Sequence, residues 1–152
     1  MKAELINPFV TATVNVFATM LNCPLSRGAL QLRSAGFAPE FDITGIIGLS
    51  GAMPGTVLIC LEEHVALKAT EAMLGTLPTE INTDVIDAVG EIANMVAGNA
   101  KSQMAAFNLY LSIPTVIVGR NQKIGFTSNI GPICIPYQSA WGPLHVEVGF
   151  RQ

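Results

Sequence analysis

Charge is scarce in this chain. Of its 152 residues only 12% are Asp, Glu, Lys or Arg, while half are hydrophobic. The eight Lys and Arg residues form no cluster and the net charge is −3. The basic footprint that phosphate backbones require is therefore missing, and no nucleic-acid partner is expected. Cysteine is also sparse. Cys23, Cys60 and Cys134 stand far apart with no Cys-x-x-Cys pair, so neither a disulfide framework nor a zinc site is indicated. The two histidines, His64 and His145, are distant in sequence. That argues against a His-based metal site and against a Ser/His triad, and no metal is expected in this chain. No stretch reaches the ~18 consecutive apolar residues of a membrane span. Glu4 and Pro8 fall where a secretory signal would need an apolar run. The expectation is a protein of the reducing cytoplasm that does not enter a membrane.

What is present suits one domain over residues 1–152 with a sizeable core. Pro8, with Asn7 as a cap, suggests a helix start, and Cys23-Pro24 a stop. Leu30-Gln-Leu32-Arg33 alternates weakly within Gly28 to Gly36. Phe41 to Leu49 and Gly55 to Leu61 read as strands joined by a turn at Met53-Pro54-Gly55. Glu62 to Leu74 reads as a helix ended by Gly75. Asn82 or Thr83 caps a long helix expected to run to about Phe107. Strands are expected at Pro114–Val118, Gly131–Pro136 and Leu144–Phe150.

A faint repeat links the first helix to the long one. Thr11, Asn15 and Ala18 align with Asp87, Glu91 and Asn94. Each half then reads as one helix followed by three strands. Two such halves give an α+β fold: a six-stranded, mostly antiparallel sheet with long helices on one face.

The polar triplet of the second half is the informative feature. At ~100° per residue, positions 87, 91 and 94 fall within about 60° of one another on a helix. Gly98 and Lys101 continue the stripe, while Val85, Val89, Ile92 and Val96 lie on the other side at core spacing. From these residues alone a solvated helix face is the plain reading. A carboxylate and a carboxamide one turn apart can also reach one small target together. Asp87 has a second plain role, near the positive end of its helix. Gly90 and Gly98 each cost about 1 kcal/mol relative to Ala inside a helix, which close approach of a partner's surface would justify, as would tight helix–helix packing inside the domain.

Asp87-x3-Glu91-x2-Asn94 with the downstream Pro114 resembles the signature of the CheC–CheX–FliY phosphatases of bacterial chemotaxis. A single intact copy is most similar to the CheX branch. The resemblance implies a phosphatase of an aspartyl-phosphorylated, CheY-like response regulator. It implies Glu91 and Asn94 as catalytic residues, Asn94 orienting the attacking water and Glu91 pairing with a lysine of the regulator. Asp87, Gly98, Lys101 and Pro114 would contact the partner, with Pro114 shaping the edge of the site. No cofactor is expected in this chain, the Mg2+ being the regulator's. CheX relatives pair through their sheets, so a homodimer is expected. The alternative is a non-catalytic docking module for a receiver or a flagellar-switch protein.

Overall fold

The computed structural model describes residues 3–33, 40–120 and 132–151. Helix α1 (Ala3–Met20) begins upstream of Pro8, so Asn7 is not its cap. Leu5 and Ile6 are buried together with Phe9, Val16 and Phe17, and this apolar face carries the helix back past the proline. So near the helix start, Pro8 gives up little besides its own N–H bond. At the other end Asn22 adopts a left-handed conformation (φ 50°), and the Cys23 N–H returns to the Phe17 carbonyl at 2.8 Å, closing the helix.

Two short strands follow, β1 (Ser26–Arg27) and β2 (Gln31–Leu32), and then the long hairpin of β3 (Ile43–Ser50) and β4 (Gly55–Leu61). The expected strand segment between Gly28 and Gly36 is thus narrowed to β2, its end lying outside the described residues. Helix α2 (Glu63–Leu74) stops at Gly75, whose positive φ of 84° lets its N–H cap the Glu71 carbonyl at 2.7 Å. Helix α3 (Thr83–Ser102) is capped by Asn82, whose side chain accepts from the Val85 N–H at 3.1 Å. It ends before the expected Phe107. The backbone turns at Gln103, and Ala105–Phe107 forms a separate 3-10 turn. Strands β5 (Tyr110–Leu111), β6 (Thr115–Val118), β7 (Ile133–Ser139) and β8 (Gly142–Phe150) complete the described chain. The expected strand start at Gly131 lies outside the described residues.

Every strand pairing among the described residues is antiparallel, in the order β1-β7-β8-β4-β3-β5, with β2 also on β7 and β6 also on β3. The eight segments occupy six lateral positions, because each outer position is shared by two short strands. The order reads alike from both edges, with β4 and β8 paired in the middle.

Alternation sends Ile43, Ile47, Val57, Ile59, Val146 and Val148 into one core with all three helices. Thr44, Leu58, Cys60, Cys134 and Glu147 point to the opposite face and are buried too. This is why β4 reads as an unbroken apolar run. The Tyr137 hydroxyl donates to the Val10 carbonyl at 3.1 Å and ties α1 to β7.

Helix α3 packs tightly on the sheet at Gly45. A Cβ built there would lie 3.0 Å from the Cβ of Ala93 and 3.3 Å from a Val89 methyl. Gly45→Val should therefore lower the unfolding free energy by about 1–3 kcal/mol in urea titrations, despite the better strand propensity of valine. An unchanged midpoint would show that α3 can move away from β3 freely.

Candidate functional site

Helix α3 is gripped on three sides, by α1, by α2 and by β3. Its buried residues include Val85, Val89, Ile92, Ala93, Val96 and Ala97. Between Val85 and Ala100 only Asp87, Glu91 and Asn94 are fully exposed. The one face that packing leaves open is the face that carries the triplet. Glu91 and Asn94 are three positions apart, about 4.5 Å along the axis, so both side chains reach the same patch of space. No described residue engages the side chain of Asp87, Glu91 or Asn94, which leaves their polar groups available to a partner.

The two glycines differ. A Cβ on Gly90 would meet Val116 at 3.4 Å and the Pro114 ring at 3.5 Å, so Gly90 is packed inside the fold. Of the two readings open for Gly90, approach of a partner or packing within the domain, the structure favours the second, with Pro114 and β6 packed against the helix there. Pro114 is thereby held beside the residue that precedes Glu91 and forms one wall of the stripe. Gly98 has nothing within 4 Å of such an atom and lies open. Lys101 is exposed at the far end, its Nζ 5.8 Å above the Tyr110 ring. It lies about 15 Å along the axis from Glu91, so it extends the surface without joining the Glu91–Asn94 pair.

Two depressions border the stripe. One of about 290 Å³ lies between the end of α2 and the start of α3, lined by Met73, Leu74, Asp84, Asp87 and Glu91. The other, about 450 Å³, is lined by Gly98, Lys101, Met104, Asn108 and Tyr110 among others. Sequence reasoning missed Tyr110 and Ile113, which are 65% and 86% exposed beside the stripe. Ile113 precedes Pro114, and an aliphatic side chain gives no sign in sequence of facing outward. On α1 the equivalent stripe, Thr11, Asn15 and Ala18, is likewise exposed but bears no carboxylate.

A second polar group lies across the sheet. Glu147 is buried beside Arg33, Cys134 and His145. Burial pushes its carboxyl up to about 7, even though the Arg33 guanidinium opposes the shift. Burial, and then Arg33, hold the His145 imidazole below its ordinary value. His64, by contrast, is exposed on α2.

A family model for the chemotaxis phosphatase CheX matches residues 43–138. The CheY-P phosphatase CheX of Thermotoga maritima is 26% identical over 127 residues, covering 82% of this chain and 81% of that one. A chemotaxis protein CheX from Vibrio vulnificus is 34% identical, and the structural match covers 98% of this chain and 100% of that one with a TM-score of 0.88. A CheX–CheY–BeF3–Mg2+ complex from Borrelia burgdorferi contains a similar fold, with 22% identity, coverage of 99% and 100%, and a TM-score of 0.81.

The contrast between the glycines is directly testable. Gly98→Leu should keep or slightly raise the melting temperature, since leucine is the better helix former and has open space. Gly90→Leu should lower it by several degrees, because it displaces Pro114 and Val116. Equal melting temperatures for the two variants would contradict this packing.

Proposed function

Because the chain belongs to the CheX chemotaxis phosphatase family, we infer that it accelerates dephosphorylation of an aspartyl-phosphorylated, CheY-like response regulator. The observation that carries the site assignment is the single open face of α3. A helix clamped on three sides presents Glu91 and Asn94 as a rigid ridge, the shape needed to enter a partner's active-site cleft.

The reaction asks little covalent work of this chain. An acyl phosphate is already activated, and water attacks phosphorus in line with the departing aspartyl oxygen. The P–O bond to the aspartyl group breaks, giving inorganic phosphate and a free carboxylate. Positioning and electrostatics therefore dominate. The carboxamide oxygen of Asn94 accepts a hydrogen bond from the attacking water and fixes its direction. Being neutral, it brings no negative charge towards the phosphoryl group. Glu91 pairs with a lysine of the regulator and sets the register of docking. Gly98 lets the partner's surface come close, and Asp87, Lys101 and Pro114 line the approach. The Mg2+ is the regulator's own. Three exposed side chains on one helix supply too few oxygens for a hard-cation shell.

We include cytoplasmic location and a homodimer in this reading. No described helix is long and apolar enough to cross a membrane. Leu32 and Val118 on the outer strands are 67% and 47% exposed, as suits edges that a second copy covers. Light scattering at micromolar concentration should give twice the chain mass, and a monomer mass would refute the dimer.

The mechanism is tested by single-turnover decay of a phosphorylated CheY-type receiver at saturating protein. Asn94→Ala should slow the accelerated decay about a hundredfold, roughly 3 kcal/mol, while binding to the receiver is retained. Glu91→Ala should slow decay and also weaken binding, since it removes an intermolecular charge pair. Wild-type rates for Asn94→Ala would overturn the assignment. Binding without acceleration by the unmodified protein would make it a docking module instead.

A further inference from the structure

On the sheet face opposite the helices, we propose that Cys134, His145 and Glu147 form a binding site for a borderline-soft divalent metal ion, best suited to Zn2+. The site is independent of the Glu91–Asn94 stripe, because the sheet lies between them.

The strand register builds it. His145 and Glu147 are two residues apart on β8 and so share a face, and Cys134 of β7 is directly opposite Glu147. One donor atom from each of the three lies within 4.8 Å of the others. His145 Nδ1 and Glu147 Oε1 are 3.8 Å apart. Donors on a tetrahedral zinc with bonds near 2.1 Å stand roughly 3.4 Å apart, so side-chain shifts of about 1 Å would close the shell. The β7–β8 ladder meanwhile holds all three backbone positions.

An independent observation points to a missing ligand. Glu147 is 1% exposed, yet its Oε2 has no hydrogen-bond partner among the described residues. A buried carboxylate oxygen without a donor is strongly disfavoured, and a metal bond would satisfy it.

A cation already stands among these donors. The guanidinium of Arg33 places Nη2 3.4 Å from Cys134 Sγ and 3.2 Å from His145 Nδ1, with Nε 3.5 Å from Glu147 Oε1. Arg33 therefore competes with the metal for the same three groups. It follows the two-residue edge strand β2 and its side chain is 31% exposed, and metal entry requires it to leave these three groups while β7 and β8 stay in place. On metal entry the Cys134 S–H bond breaks and the proton passes to solvent. The thiolate, the Nδ1 lone pair and the Glu147 carboxylate bind the ion, and water takes the fourth position. Thiolate and carboxylate together neutralise the 2+ charge. The thiol and imidazole select against Mg2+ and Ca2+, which prefer oxygen shells. This site departs from the expectation of no metal, which considered the His and Cys spacing and the few oxygen ligands of Asp87, Glu91 and Asn94.

The test uses the full chain freed of metal by chelator dialysis. Zn2+ is titrated against a chromophoric chelator, and Co2+ is added in parallel as a spectroscopic probe. One equivalent should bind, and the Co2+ form should show a sulfur-to-metal charge-transfer band with tetrahedral visible bands. Cys134→Ser should abolish the charge-transfer band, and His145→Gln and Glu147→Gln should each weaken Zn2+ binding about a hundredfold. Arg33→Gln should tighten it about tenfold by removing the competitor. Cys60→Ser and Glu91→Gln should leave it unchanged. If a ligand variant fails to fold, the wild-type Co2+ spectrum decides, and absence of the sulfur band overturns the site. Absence of stoichiometric binding in both wild type and Arg33→Gln overturns it as well, as does binding that survives Cys134→Ser.

Discussion

The close seat of α3 on β3 is the constraint on which the rest depends. At Gly45 the helix approaches the sheet so nearly that a single Cβ would touch Ala93. With α1 and α2 on its flanks, α3 is packed from both sides as well as against β3. Its one exposed line must then be the line through Asp87, Glu91 and Asn94. In the proposed mechanism the Asn94 carboxamide directs a water, which needs a helix held in one orientation, and core packing would supply that. Gly90 serves the same end from the side, giving Pro114 a close seat against the helix.

The sheet shows how one scaffold comes to carry one such face. Its order reads alike from both edges, and α1 and α3 lie together on the same side. Both helices leave an exposed stripe with the same spacing, but Thr11, Asn15 and Ala18 carry no carboxylate. Shared architecture thus explains why two stripes exist. Side-chain chemistry is what separates them, since a carboxylate stands on one stripe and not on the other.

The far side of the sheet follows a different logic. Central strands buried on both faces normally carry apolar residues throughout, as β4 does. Beside it, β7 and β8 place a thiol, an imidazole and a carboxylate on the same buried surface, answered by Arg33 from the sheet edge. Replacing buried ionic groups by apolar ones of similar size is often neutral or stabilising. A cluster of this kind is weak evidence for stability, and its ligand chemistry is what the metal-site proposal rests on.

Local pattern determined much of this protein. The Ile, Val and Leu content of β3 and β4, the alternation of β8, the Asn82 cap, the Gly75 stop and the 87–91–94 stripe are encoded within a few residues of one another. Neighbours in sequence suffice to read them. What failed did so where distant packing overrides local signals. Pro8 looked like a helix start, yet the buried Leu5 and Ile6 carry α1 past it. Helix α3 stops at Ser102 although its apolar spacing continues towards Phe107. Gly90 and Gly98 looked equivalent, and only the arrival of Pro114 and Val116 from another part of the chain separates them. The meeting of Cys134 with Glu147 and His145 was likewise decided by strand register, a long-range pairing. Spacing along the chain bears no trace of it, because an antiparallel ladder makes neighbours of residues whose separation depends on where the hairpin turns.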